Sequence, residues 1–191
     1  FKAILVTGAR QVGKTTVIKH LFPAVKCIEF DPLQDLYGAR SDPDLFLENF
    51  PPPLILDEIQ YAPELLPSLK RKVDRLEPPC KYLLTGSQNL SLLKSVAESM
   101  AGRVGILELN GMGHHEICRT GKAPWWLDNY LSAPESLLGK FSGLITDGGN
   151  LIRALWRGGM PGLLEIPDGT VPDYFLSYLR TYIERDVRTM A

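Results

Sequence analysis

Nine residues close to the start of the chain, Gly8-Ala9-Arg10-Gln11-Val12-Gly13-Lys14-Thr15-Thr16, have the types and spacing needed to hold phosphate groups. They match G-x-x-x-x-G-K-[ST], the pattern of a phosphate-binding loop. The two glycines let the backbone curl so that its N–H groups converge on phosphate oxygens, and a helix start adds partial positive charge. In such a loop Lys14 reaches the β- and γ-phosphates and the Thr15 hydroxyl ligates Mg²⁺. All nine residues are candidate nucleotide contacts, and the ligand they imply is a nucleoside triphosphate.

A second constellation is Asp57-Glu58, two carboxylates closing the apolar run Leu54-Ile55-Leu56. Asp57 is expected to hold Mg²⁺ through a water, opposite Thr15. Glu58 is expected to orient and polarise an attacking water. Alone, such a pair is equally a solvated turn, and the phosphate loop upstream is what gives it this chemistry. Further on, Ser87 is a candidate contact for the γ-phosphate or the water, with Thr85 and Gln88 as rivals. A hydroxyl there could also cap the helix that begins near Leu90.

Phosphoryl transfer is mostly electrostatic work, so cations beyond Lys14 matter. Arg103 falls between a helix and a strand. It could act as an arginine finger on a neighbouring subunit, or be a surface arginine in a tight turn. Arg180, Arg185 and Arg188 lie on a helical pattern where Glu184 and Arg188 can pair at i, i+4. Arg10 could flank the phosphates or face solvent.

Strands and helices must place these groups. Ala3-Ile4-Leu5-Val6 reads as a buried strand; Val17, Ile18, Leu21 and Phe22 recur at helical spacing, and Pro23 stops that helix. Further strands are expected at 25–30, from about Pro53 to Glu58, at 81–85 and at 103–109. Two short helices should fill 33–50, split around Ser41-Asp42-Pro43. Leu65, Leu66, Leu69, Val73 and Leu76 form one helical stripe, and Leu90, Leu93, Val96, Ala97 and Met100 another. Alternating apolar strands and helices imply a parallel sheet covered on both faces, with ligands at the carboxyl ends of the strands. We read residues 1–112 as the core. Residues 113–191 read as a helical lid or connector, with short helical patterns at 113–119 and 151–156, a break at 158–162, and one helix from Pro172 to Met190 carrying Phe175, Leu179, Ile183 and Val187.

The 191 residues carry 21 Lys plus Arg against 22 Asp plus Glu, a net charge of −1 that gives no support to a nucleic-acid partner. No apolar run is long enough to cross a bilayer, so no membrane partner is expected. Cys27, Cys80 and Cys118 read as reduced thiols, which points to the cytoplasm. His114, His115 and Cys118 are too few for a zinc site. The basic run from Lys70 to Arg75 could touch nucleic acid, but reads first as the wet face of an amphipathic helix.

Taken together, 7–16, Leu54 to Gln60, Leu84-Thr85-Gly86-Ser87-Gln88, Ala101-Gly102-Arg103-Val104, Gly158-Gly159-Met160-Pro161 and 182–188 resemble a large prokaryotic family of AAA-type ATPases. That family is similar to the archaeal ATPase branch of the AAA+ superfamily. Its members typically continue into a winged-helix segment and a nuclease-like domain of unknown function, so the chain is expected to be a piece of a longer protein. The resemblance implies an α/β P-loop NTPase fold of the additional-strand type, with the Thr85 strand between the phosphate-loop strand and the Asp57 strand. It implies ATP and Mg²⁺ as ligands, the roles given above for Lys14, Thr15, Asp57 and Glu58, and a family turn at Arg103. A homo-oligomer through Arg103, and nucleic acid bound through a C-terminal domain, are the partners it suggests. Two departures are Gly111-Met112-Gly113-His114-His115, where an apolar helix start is usual, and Trp125-Trp126. The function expected is Mg-dependent ATP hydrolysis coupled to conformational change. The alternatives are an ATP-held switch with negligible turnover, and a small-molecule kinase, for which no acceptor motif is evident.

Overall fold

Five short strands carry the fold: β1 (Ala3–Thr7), β2 (Lys26–Glu29), β3 (Leu54–Asp57), β4 (Tyr82–Thr85) and β5 (Val104–Glu108). Between them run helices α1 (Lys14–Leu21), α2 (Pro43–Asn49), α3 (Leu65–Arg75) and α4 (Leu90–Met100). The structure, a computed structural model, describes residues 1–77, 80–87, 90–117, 131–133, 135 and 148–183. All strand pairs are parallel, in the order β2-β3-β4-β1-β5. Strand β4 therefore sits between β1 and β3, the additional-strand order that the resemblance implied.

Register then fixes the site. Val6 lies opposite Thr85, Leu56 opposite Leu84, and Glu29 opposite Asp57. Three chain turns, after Thr7, Asp57 and Thr85, thus leave from one edge of the sheet. The Asp42 side chain caps α2 at the Leu45 N–H, 3.0 Å away, with Pro43 at the first helical position.

The core follows from the apolar patterns. All four residues of β3 are buried, as expected for a strand covered on both faces. Helix α3 buries Leu65, Leu66, Leu69 and Val73 on one face. The basic residues fall elsewhere, and Arg71 pairs with Asp44 on the surface. Phe46 of α2 packs its ring on Phe30 and Phe50. Two apolar segments behave otherwise than expected. In α1 only Ile18 of the apolar stripe is buried, while Val17, Leu21 and Phe22 are exposed. The buried line is Lys14 and Ile18 at i, i+4, because the helix turns its lysine inward toward the loop. In β5, the edge strand, Ile106 and Leu107 are each more than half exposed.

The chain divides into two compact units, Phe1–Asn110 and a second that begins at Gly111. The second holds α5 (His114–Ile117), α6 (Gly148–Arg157), two 3₁₀ turns (Pro161–Leu163 and Asp168–Thr170) and α7 (Val171–Tyr178). Its glycines have a steric reason: the Met112 N–H donates to the Gly159 carbonyl, and a side chain on Gly159 would run into the Met112 backbone. Arg157 ties the turns together by donating to Asp168 and to the carbonyls of Leu163 and Ile166. The expected straight helix from Pro172 changes character after Tyr178: Leu179–Ile183 is a π-turn. There the Thr181 hydroxyl donates to the Ser177 carbonyl at 2.8 Å, competing for a helix acceptor. Within the described residues of the expected stripe, Leu179 is nearly half exposed. Cys118, Trp125-Trp126, Glu184, Arg185, Val187 and Arg188 lie outside the described residues. Among the described residues no helix is long and apolar enough to cross a membrane, and no cluster of three or more His, Cys, Asp or Glu could hold a metal.

Candidate nucleotide-binding site

The loop from Gly8 to Gly13 connects β1 to α1 with a backbone that favours glycine at both ends. Gly8 has φ +150°, and a Cβ there would collide with the Leu109 carbonyl. Gly13, at φ 96°, caps α1, and its carbonyl accepts the first helical N–H, from Val17, at 2.9 Å. Gln11 also adopts positive φ, at 64°. Val12 is buried and anchors the loop. Ala9 and Thr16 are exposed, and Arg10 is half-buried.

Lys14 opens α1 and turns back over the loop. Its ammonium donates to the Gly8 carbonyl at 3.0 Å and the Ala9 carbonyl at 2.8 Å. The residue is only 6% exposed. Burial pulls its pKa below the ordinary lysine value; Glu58 and Asp57 pull the other way, and Arg10 adds to the lowering. Such an ammonium gains from anionic oxygens brought into the loop, because they favour the charged form that burial penalises.

Across the loop, Thr15 donates its hydroxyl to Asp57 Oδ1 at 3.0 Å. Thr85 donates to the same oxygen and accepts the Glu58 backbone N–H at 3.0 Å. Asp57 is buried, yet its Oδ2 has no hydrogen-bond partner among the described residues. A buried carboxylate oxygen with nothing to accept is costly, and it suits a hard cation that prefers oxygen ligands. Thr15 and Asp57 together fit Mg²⁺ on that observation.

Glu58 follows in a left-handed conformation, φ 57° and ψ 46°. Outside glycine this region is strained and recurs at functional positions. The Thr85 hydroxyl holds its N–H, and the Glu58 carbonyl accepts the Tyr61 N–H at 3.0 Å. Its carboxylate accepts a hydrogen bond from Gln60 Nε2 through Oε2. Ser87 is buried, and its hydroxyl has no partner among the described residues. Of the three rivals after β4, Thr85 is already committed to Asp57 and Glu58, Ser87 keeps its hydroxyl unused, and Gln88 lies outside the described residues.

Arg103 does not join this group. It precedes Val104, which pairs with Ala3 at the amino end of β1, whereas the loop leaves the carboxyl end. Five strand residues at ~3.3 Å each separate the two edges by about 16 Å. Its Nε donates to Asp74 and its Nη1 to the Ala101 carbonyl. Sequence reasoning missed Gln60 and the bridging role of Thr85. Gln60 was signalled only by its proximity to Asp57-Glu58, and Thr85 only by its place at a strand end, where a threonine is ordinary.

Residues 1–118 match a family described as an AAA domain. The chain is also 30% identical, over 185 residues, to an uncharacterized protein of Mycobacterium bovis and to one of Mycobacterium tuberculosis. Each alignment covers 96% of this chain and 36% of the relative, so the chain spans about a third of the length of these relatives. With a phosphate-loop turn, a part-buried Thr15–Asp57 pair and the β2-β3-β4-β1-β5 sheet in one unit, the chain belongs to the AAA domain family, a branch of the P-loop ATPases.

Proposed function

We propose that this chain binds ATP with Mg²⁺ and hydrolyses the β–γ phosphoanhydride, coupling nucleotide state to conformational change in attached segments or partners. The observation that carries the reading is the convergence of Thr15, Asp57 and Thr85 beside Glu58, whose left-handed backbone is held by the Thr85 hydrogen bond. A site that only gripped phosphate would need the loop and not Glu58.

The residues divide the work. The backbone of residues 8–14 receives the phosphates, and Lys14 exchanges the Gly8 and Ala9 carbonyls for phosphate oxygens. Thr15 and Asp57 hold Mg²⁺, which neutralises charge on the phosphates when bound. Glu58 orients a water and takes its proton as the new bond to the γ-phosphorus forms and the bond to the bridging oxygen breaks. Ser87 offers its unused hydroxyl to the γ-phosphate or that water. Arg103, at the far edge of the sheet, can serve only a neighbouring subunit's nucleotide. ATP over GTP rests on the family.

The test is phosphate release from ATP and Mg²⁺ by the wild type, Lys14→Ala and Glu58→Gln. A hydrolase gives turnover that Lys14→Ala abolishes. Glu58→Gln should lose roughly 10²-fold or more in rate while keeping ATP-induced thermal stabilisation. Thermal stabilisation by ATP without wild-type turnover would instead favour a nucleotide-held switch.

A further inference from the structure

We propose that Gln60 is a positioning residue for Glu58: its amide holds one carboxylate oxygen so that the other is presented to the attacking water. This rests on the hydrolase reading above.

The geometry begins at the backbone. Glu58 is held in its left-handed conformation by the Thr85 hydroxyl, and the 3₁₀ turn Ile59–Tyr61 follows immediately. Ile59 is fully buried, and the Ala62 N–H donates to its carbonyl at 2.9 Å, so the turn is pinned in the core. That turn brings Gln60 back toward the carboxylate two residues before it. Nε2 of Gln60 donates to Glu58 Oε2, and no other residue contacts that carboxylate by hydrogen bond among the described residues. Oε1 of Glu58 keeps its lone pairs.

The amide's orientation is set by this contact. Its carbonyl, Oε1 of Gln60, is buried with no partner among the described residues. Turning the amide over would set that carbonyl against a carboxylate, which repels it, so the donor must face Glu58. A neutral amide suits a general base. It fixes direction and removes rotamer freedom without the charge neutralisation a lysine or arginine would bring.

The experiment compares wild type, Gln60→Met, Glu58→Gln and the double variant in ATP turnover, KM and ATP-induced shift of Tm. Methionine keeps the length of the side chain and removes the donor. The expected result for Gln60→Met is a fall in kcat of roughly tenfold or more, with KM and the ATP-induced shift unchanged. In the Glu58→Gln background the same substitution should add no further loss, because the group it positions is already gone. Unchanged or raised turnover in Gln60→Met overturns the proposal, as does an equal loss in both backgrounds. Should Gln60→Met fail to fold, Gln60→Glu carries the same test, since it keeps the shape and replaces the donor with a carboxylate. Absence of Lys14-dependent turnover in the wild type defeats the hydrolase reading itself and this proposal with it. Normal wild-type turnover with an indifferent Gln60 defeats this proposal alone.

Discussion

One hydroxyl ties two strand ends together: Thr85 donates to Asp57 Oδ1 and accepts the Glu58 backbone N–H at 3.0 Å. The bond links the end of β4 to the turn after β3, so the carboxylates cannot shift independently of the strand that leads to Ser87. It also directs Asp57. With Oδ1 receiving both Thr85 and Thr15, the open oxygen is Oδ2.

Thr85→Val removes this hydroxyl at nearly constant volume in a fully buried position. It leaves the Glu58 N–H without its partner and takes a donor from Asp57. The expected cost is about 1–3 kcal/mol in urea unfolding, with Thr85→Ser recovering most of it. Turnover should fall in Thr85→Val and return in Thr85→Ser. Equal stability of the valine variant and the wild type would mean the bridge contributes nothing.

Ser87→Ala should behave in the opposite sense. The serine is 4% exposed, and its hydroxyl lacks a partner among the described residues. Removing a buried, unsatisfied hydroxyl leaves stability unchanged or raises it by up to about 1 kcal/mol. ATP turnover should drop in the same variant, as function is lost where stability was given up. Denaturation and phosphate release on one preparation check both halves. A destabilised Ser87→Ala would show that the hydroxyl is already satisfied.

Two glycines with positive φ separate site from scaffold. Gly8→Ala would push a methyl group into the Leu109 carbonyl, so the loop must distort, and ATP-induced stabilisation should vanish. Gly102, at φ +73°, has open space around its missing Cβ. Gly102→Ala there meets backbone strain alone, about 1–2 kcal/mol, and should leave ATP binding untouched. Retained ATP binding in Gly8→Ala would show that the loop adapts.

Much of this was legible in the chain because it was written in local patterns. The phosphate loop, the Asp57-Glu58 strand end and the α3 stripe each depend on spacing within a few residues, and each is where spacing puts it. The strand order came from family likeness, because parallel pairing joins residues far apart and leaves no short-range mark. Thr85 and Asp74 were opaque for a related reason. Their roles arise from partners that the fold brings close, across 28 residues from Thr85 to Asp57 and 29 from Arg103 to Asp74. The stripe expected from Phe175 to Leu179 runs into a π-turn at Leu179–Ile183, a change of backbone period that leaves no mark in apolar spacing.

Asp74 holds Arg103 in the single chain, on a surface where both side chains are partly exposed. The pair depresses the Asp74 pKa through the guanidinium hydrogen bond. Such pairs contribute little to stability, so Asp74→Ala should leave Tm nearly unchanged while freeing the guanidinium. If Arg103 serves a neighbouring subunit, specific ATPase activity will rise with protein concentration in the wild type. The rise should begin at lower concentration in Asp74→Ala and be absent in Arg103→Ala. Specific activity independent of concentration in all three would leave Arg103 a structural arginine.

Lys14 gives a pH dependence whose sign follows from its surroundings. Burial is the largest influence on it and lowers its pKa, against opposing pulls from Glu58 and Asp57. Between that lowered value and the ordinary 10.5, the unfolded chain binds a proton that the folded chain has released. Stability of the nucleotide-free protein therefore rises with pH across this window and is flat below it, where both states carry the proton. The stability of the wild type relative to Lys14→Met should increase as pH climbs toward 10.5, with other titrating groups cancelling in the difference. Saturating ATP and Mg²⁺ should abolish the trend, because phosphate oxygens favour the charged ammonium and move its pKa back up. Denaturation curves at several pH values, with and without nucleotide, measure both effects. A difference that stays flat without nucleotide would mean that burial does not govern the charge on Lys14.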